Sequence, residues 1–174
     1  MSALTLFSQM ARNNAWSNDR ILGAACQLSQ DAFTAPRTGF FPSLRLTLGH
    51  IYLADLFFLD ALTQGGRGRE VFQEGEPETA SELREVQAKA DTTLIAFCDQ
   101  GFAPDATVLF GWSGGPATER VEAALLQLFQ HQIHHRGQAH AMLSGTDVAP
   151  PPLDEFFPGF ERPASATRYW DMRP

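Results

Sequence analysis

The chain has 174 residues, 44% of them hydrophobic, which suits one domain, residues 1–174, with one core and excludes two well-packed domains. Its formal net charge is −7, from 20 acidic and 13 basic side chains without a basic cluster, so we expect no nucleic-acid partner. No apolar run approaches the roughly 18 residues of a membrane span, and residues 1–9 lack the pattern of an export leader, so we expect a cytoplasmic protein without a membrane partner.

The first half of the chain contains two stretches whose apolar residues recur at helical spacing. The first covers residues 3–33 and stops before Pro36, which favours one long helix. The second runs from Pro42 to Leu62 and is followed by two glycines, which are typical of helix termination. Because the second stretch is apolar nearly all round, we expect it to be the most buried helix. The polar residues in it are Thr47, His50, Asp55 and Asp60.

A third helix is predicted after a loop that is rich in glycine and charge. Thr79 or Ser81 is suited to cap its first turn, and Gly101 follows its end. Residues 102–115 then include large apolar side chains at alternate positions and a Gly-Gly pair, which favours an irregular crossover with a short strand or a hairpin.

A fourth helix is predicted from Pro116 to Leu143, and a proline-broken segment, residues 146–174, follows it. The segment is too apolar for a free tail, so we expect it to pack on the helices or on a partner subunit. Its large apolar residues include Leu153, Phe156, Phe157 and Phe160. Four long helices with a crossover between the third and the fourth predict an all-α fold, a four-helix bundle, whose ligand sites usually form between facing helices.

Four of the five histidines lie in one stretch, HQIHHRGQAH, inside the fourth predicted helix. His131 and His135, four residues apart, stack on one face of a helix, and His131 and His134, three apart, do so as well. The apolar stripe of the helix distinguishes these pairs, because His135 lies close to its centre, His131 at its margin and His134 far from it. His140 lies on the opposite margin. The pattern therefore favours His131 and His135 as a metal-binding pair.

His50 is the only histidine outside this stretch and is the candidate third ligand. Catalytic zinc usually takes three protein ligands and keeps one position open. An imidazole in so apolar a helix leaves a donor and an acceptor to satisfy, and coordination satisfies one of its nitrogens. Taken singly, the helical pair also fits surface polarity, and His50 fits a hydrogen-bonded core residue. Together, in a chain with so few histidines, they favour a metal site.

These segments resemble the DinB/YfiT-like family of metal-dependent proteins, and the resemblance covers nearly the whole chain. Residues 131–143 closely match the family's His-x-x-x-His-Arg-Gly-Gln signature, and residues 13–22 resemble its Asn-x-x-Trp-x-Asn segment. Residues 48–62 are similar to its first metal-ligand helix, and residues 151–157 are typical of one branch. The resemblance implies a four-helix bundle in up-down-down-up order, often a homodimer.

The resemblance also implies the ligands and a class of chemistry. Carried over, the ligands are His50, His131 and His135, the set that the helical pattern favours, and the ion is zinc or nickel. Some relatives are transferases or isomerases that use a low-molecular-weight thiol. We therefore expect a metal-dependent transferase or hydrolase that acts on a small electrophile, with such a thiol as cosubstrate. The alternative is a stress-related protein that binds metal or a small ligand without turnover.

Four carboxylates are candidates for a general base, although their spacing does not specify the role. Asp55 and Asp60 lie in the second predicted helix, where both also fit charges on a helix surface. Asp154 and Glu155 lie in the proline-broken segment.

Three further residues are candidates for lining a pocket. Arg136 directly follows a predicted ligand and fits a contact to an anionic substrate or, more readily, an ion pair with a buried carboxylate. Trp16 and Asn13 fit either packing and hydrogen bonding around the opening of the bundle or a place in the pocket itself.

Overall fold

The computed structural model describes residues 3–171, with side chains from Leu6 onward. Residues 1–2 of the predicted domain, and residues 172–174 at the end of its predicted C-terminal segment, lie outside the described residues. The described chain is mostly helical, with one small sheet. Its elements, in chain order, are α1 (Ala3–Ala25), α2 (Gln30–Thr34), α3 (Leu44–Leu62), a 3₁₀ helix (Gly68–Glu74), α4 (Ala80–Gln100), β1 (Thr107–Trp112), β2 (Gly115–Arg120), α5 (Val121–Leu143) and α6 (Ala164–Trp170).

The four long helices pack on one another and enclose the core. α1 lies against α4 and α5, and α3 lies against α4 and α5. The face between α3 and α5 matters most for function, because all three predicted ligands are on these two helices. Among the helices of residues 3–171, none combines the length and the apolar character that crossing a lipid bilayer requires.

The prediction of a single helix over residues 3–33 is wrong. α1 ends at Ala25, and a short second helix begins after Ser29, whose side chain accepts a hydrogen bond from the Ala32 amide at 3.2 Å. Serine satisfies the free amides of a first helical turn well, so it starts a new helix here although the apolar spacing continues. Phe33 of α2 is buried, which anchors this short helix to the core.

The predicted starts of α3 and α4 differ in how closely the structure matches them. α3 was predicted to start near Pro42 and begins at Leu44, after its cap Ser43, whose side chain accepts from the Leu46 amide at 3.1 Å. Of the two candidates for α4, Thr79 is the cap, since its hydroxyl accepts from the Glu82 amide at 3.2 Å and the Glu82 carboxylate accepts from the Thr79 amide at 3.0 Å. This reciprocal pair fixes where α4 begins.

The crossover between α4 and α5 is an antiparallel hairpin, in which Thr107 pairs with Arg120 and Trp112 with Gly115. α5 therefore begins at Val121 rather than at the predicted Pro116, because residues 115–120 form β2. The hairpin lies against the 3₁₀ helix, where a Cβ on Gly68 would lie 2.9 Å from the Gly111 backbone. Two glycines thus allow this close approach, which brings β1 beside α3.

The C-terminal segment packs on the outer side of α1. Phe156 is fully buried against Trp16, with their ring centroids 5.6 Å apart. The short helix α6, which the proline-rich pattern did not predict, packs on α1 as well. Phe157 and Phe160, by contrast, stay 43% and 87% exposed.

Candidate metal centre

Three imidazoles from two helices converge between α3 and α5. His50 extends from α3, and His131 and His135 extend from successive turns of α5. One ligating nitrogen from each ring lies within 4.8 Å of the other two. The Nε2 atoms of His50 and His131 are 2.9 Å apart, and the His131 and His135 ring centroids are 4.4 Å apart. This cluster, His50, His131 and His135, is called the histidine cluster below.

The remaining histidines of α5 point elsewhere. His134 is exposed, and its Nε2 lies 2.9 Å from the Nε2 of Gln138. His140 lies 3.1 Å from the carbonyl oxygen of Pro151 in the C-terminal segment. The four-residue spacing therefore directs His131 and His135, and not their neighbours, toward α3.

The environment of the histidine cluster favours neutral rings. Burial, and then the charge of neighbouring histidines, lowers the pKa of His50 and of His131 to about 4. Burial also lowers the pKa of His135. Metal ligation requires a nitrogen lone pair, so rings that resist protonation are suited to it.

Two side chains to which the sequence analysis assigned no role hold the rings in place. Gln138, three residues after His135 on the same helix, has its Oε1 3.0 Å from the Nδ1 of that ring. With Nδ1–H donating to this oxygen, the Nε2 lone pair of His135 faces away from Gln138. Phe41, from the loop before α3, stacks on His50 with ring centroids 4.3 Å apart and lies 5.6 Å from His135. The spacing of Gln138 was available from the sequence, whereas no pattern indicated Phe41.

The donor set fits a divalent ion of the zinc type. Zinc binds imidazole nitrogen at about 2.0–2.1 Å, so two tetrahedral ligand nitrogens lie roughly 3.3 Å from each other. The nitrogens of the histidine cluster lie within 4.8 Å of one another, and the Nε2 atoms of His50 and His131 are 2.9 Å apart, so these distances bracket this spacing. Two neutral acceptor nitrogens that close repel each other unless a proton or a cation lies between them.

The predicted general bases lie in other surroundings. Asp55 is not a surface charge, because it is 2% exposed and accepts hydrogen bonds from Gln87 and Gln132. Asp60 accepts from the backbone amide of Gly68 at 2.7 Å and so ties the end of α3 to the 3₁₀ helix.

Asp154 and Glu155 lie in the C-terminal segment, where Glu155 is partly buried. Asp154 is exposed along a separate cavity, which Asn13 and Arg136 also line. A carboxylate whose charge acts on His50 is Glu76, which opposes the lowering of the His50 pKa. Glu76 lies in the loop before α4, where the sequence has no periodic pattern to indicate it.

Trp16 and Arg136 make buried contacts with other described residues. Trp16 is completely buried, donates to the Ser165 hydroxyl at 3.2 Å and packs on Phe156. The buried carboxyl groups of Asp91 and Asp55 act on Arg136 through their charge, in line with the predicted pairing, while its Nη1 donates hydrogen bonds to amide oxygens. These belong to Asn14, Asn18 and Gln132.

A buried polar network lies beneath the histidine cluster and joins four helices. It consists of Asn14, Asn18, Asp55, Gln87, Asp91, Gln132 and Arg136. Asp91 accepts from the Asn18 amide at 2.9 Å, and burial followed by the charge of Asp55 raises the pKa of Asp91 to about 8. Burial raises the pKa of Asp55 to about 6. The network therefore holds one buried cation and two carboxyl groups that resist ionisation.

We expect the free energy of unfolding to fall as the pH rises from 7 to 9, above the range in which histidines of the unfolded chain release their protons, and Asp91→Asn to reduce this slope. Between the unfolded pKa of Asp, near 4, and the raised folded value, the folded state keeps a proton that the unfolded chain has released, so the stabilisation is lost through that window. The expected change is roughly 1–3 kcal/mol. Urea unfolding at each pH measures it, with the exposed Asp105→Asn as control; equal slopes for wild type and Asp91→Asn would contradict the expectation.

An open cavity adjoins the histidine cluster. Its volume is about 640 Å³, and His50 and His131 form part of its lining together with residues of α3, the hairpin and α5. The histidine cluster thus has a protein-covered side, at Phe41 and Gln138, and a side that a small molecule can approach.

Two comparisons with known proteins point to one family. The family model described as the DinB family matches residues 1–169, a range that includes the whole histidine cluster. The chain is also similar to Protein DinB from Bacillus subtilis (strain 168), with 22% identity over 148 residues that cover 81% of this chain and 86% of that protein.

Proposed function

Because the chain belongs to the DinB family, and because three of its histidines meet at one point, we propose that His50, His131 and His135 hold a divalent metal ion, zinc or nickel. We propose further that the protein is a metal-dependent transferase or hydrolase that acts on a small electrophile. The group that attacks the electrophile is a water or a low-molecular-weight thiol.

The observation that carries this proposal is the combination of three ligands with an adjoining cavity. Three protein ligands leave a position open at a catalytic ion, whereas structural zinc sites are closed by four. His50 and His131 are at the same time proposed ligands and part of the cavity wall, so a molecule in the cavity of about 640 Å³ would lie beside the ion that they would hold. The combination favours catalysis over storage of the ion.

Each residue of the site has a separate task in this proposal. Three neutral imidazoles leave the ion its full double charge, and the ion would supply Lewis-acid chemistry by stabilising negative charge on a substrate atom. Gln138 keeps the His135 ring in one orientation, and the Phe41 ring excludes water from the face of His50 that it covers. Glu76 contributes a negative charge on the His50 side, which offsets part of the charge of the cation.

The proposal extends to the assembly. We propose that α1, α3, α4 and α5 form a four-helix bundle in up-down-down-up order and that the protein works as a homodimer. The pairings of α1 with α4 and of α3 with α5 support the bundle. Leu126 and Ile133, 62% and 50% exposed on α5, support an apolar contact between subunits.

The test is a comparison of turnover between the zinc- or nickel-loaded protein and its His50→Ala variant, on a panel of small electrophiles with water and with several thiols. We expect turnover by the loaded protein only. If neither protein turns over any electrophile and anomalous scattering at the metal edge shows an ion with a fourth protein ligand, the protein binds metal without catalysis, which is the alternative function.

A further inference from the structure

The cavity beside the histidine cluster, called the aromatic cavity below, is lined by five aromatic side chains besides the two histidines. They are Phe57, Phe58, Phe72, Phe110 and Trp112. The Phe57 ring centroid lies 5.4 Å from that of Phe110, 5.6 Å from that of Phe72 and 5.9 Å from that of Trp112. α3, the 3₁₀ helix and β1 thus contribute to one continuous wall.

This wall is built before any ligand binds. Phe57 and Phe110 are 6% and 8% exposed, so the fold itself holds them in place. Trp112, by contrast, is 53% exposed at the tip of β1, and the Arg69 guanidinium lies over its ring, 5.1 Å from the centroid. A large aromatic side chain that remains half exposed beside a cavity is typical of a ligand contact.

The charge of the aromatic cavity restricts what it accepts. Among the lining residues that the structure describes, Glu119 is the one carboxylate, and no lysine or arginine is present. The chain as a whole carries a net charge of −7. The exposed Arg69 guanidinium lies beside this lining, over the Trp112 and Phe72 rings. A phosphorylated or otherwise polyanionic molecule would meet the Glu119 carboxylate and an arginine that already contacts two rings, so such molecules are disfavoured.

We propose that the aromatic cavity binds the apolar, aromatic body of an uncharged substrate, whose reacting oxygen, nitrogen or sulfur atom lies next to His50 and His131. The inference rests on the proposed function, since the reacting end is defined by the metal. A volume of about 640 Å³ accommodates a body of one or two fused rings with room for a second small molecule. Stacking and edge contacts with the aromatic wall hold the body, and the histidine cluster meets the donor atom.

The test uses one variant that fills the aromatic cavity and a matched control. Ala123 lies in the lining of the cavity and is exposed, so Ala123→Trp fills it from its edge without replacing a core residue. Ala141→Trp makes the same change at another exposed alanine of α5, outside the lining. Two kinds of probe are titrated: N-phenyl-1-naphthylamine, a neutral fluorescent aromatic, and a pair of zinc-binding hydroxamates, 2-naphthohydroxamic acid and acetohydroxamic acid.

We expect zinc-loaded wild type and Ala141→Trp to bind the naphthyl hydroxamate at least about tenfold more tightly than the acetyl one, because only the former buries aromatic area. Ala123→Trp should remove this preference and leave the acetohydroxamate affinity unchanged. N-phenyl-1-naphthylamine should bind wild type and Ala141→Trp alike, and Ala123→Trp at least about tenfold more weakly.

The outcomes separate the two proposals. A naphthyl preference that survives in Ala123→Trp, or equal binding of N-phenyl-1-naphthylamine to all variants, overturns the aromatic cavity as a substrate site. If instead zinc and both hydroxamates fail to bind while N-phenyl-1-naphthylamine still distinguishes Ala123→Trp from Ala141→Trp, the metal-dependent function is wrong and the aromatic cavity stands.

Discussion

His131→Ala lowers the affinity of the protein for Zn²⁺ by on the order of a thousandfold or more, because changing even a residue that only orients a ligand typically costs 10–100-fold and His131 is a proposed ligand itself. His131 is the central member of the histidine cluster: its Nε2 lies 2.9 Å from that of His50, and its ring centroid lies 4.4 Å from that of His135. Without it, two ligands from separate helices remain, and they share no helical face. Competition titration with a colorimetric zinc chelator measures the change.

The matched control for this variant is His134→Ala. It removes another histidine of the HQIHHRGQAH stretch, three residues after His131, whose exposed ring contacts Gln138 and stacks edge-on against His135. We expect its zinc affinity to stay within about tenfold of the wild type, because His134 acts on the site only through its neighbours. If His134→Ala and His131→Ala lose affinity to the same extent, the ion is not bound by the set proposed here.

The family assignment was predicted from the sequence and is confirmed by the family match. The histidine pair behind it could be recognised from the sequence because α5 is a regular helix. On an unbroken helix, the direction of each side chain follows from residue number alone, so the spacing of His131 and His135 brought them to one face. His50 was a candidate for a different reason, since it was the remaining histidine and lay in a very apolar helix. Its meeting with the pair depends on how α3 packs on α5, which no local pattern encodes.

The features that sequence reasoning missed depend on partners distant in the chain. Asp55 fitted a surface charge by type, yet it is buried, and Gln87 on α4 and Gln132 on α5 donate the hydrogen bonds that satisfy it there. Phe41 belongs to a loop without periodicity, so its stacking on His50 had no signal. The same holds for the start of α5, where residues with helix-compatible types are held in β2 by pairing with β1. Tertiary contacts decided each case against the local preference.

Arg136→Met destabilises the folded protein by about 3–5 kcal/mol at pH 8, the cost typical of removing one partner from a buried set of charges. Arg136 is 4% exposed, and its guanidinium satisfies the amide oxygens of Asn14 and Asn18 while its charge offsets those of Asp55 and Asp91. Methionine fills a similar volume, so the loss reports polar interactions rather than a cavity. Urea unfolding followed by circular dichroism measures it.

The pH dependence of that loss distinguishes the electrostatic cause from a packing defect. Burial raises the pKa of Asp55 to about 6 and that of Asp91 to about 8, so both carboxyls are largely protonated and neutral at pH 5. The cation then has less negative charge to offset, and the penalty of Arg136→Met should be smaller at pH 5 than at pH 8. Combining it with Asp91→Asn should recover part of the stability at pH 8 for the same reason. A penalty that is equal at both pH values, and that Asp91→Asn does not reduce, would show that Arg136 supports the fold by shape alone.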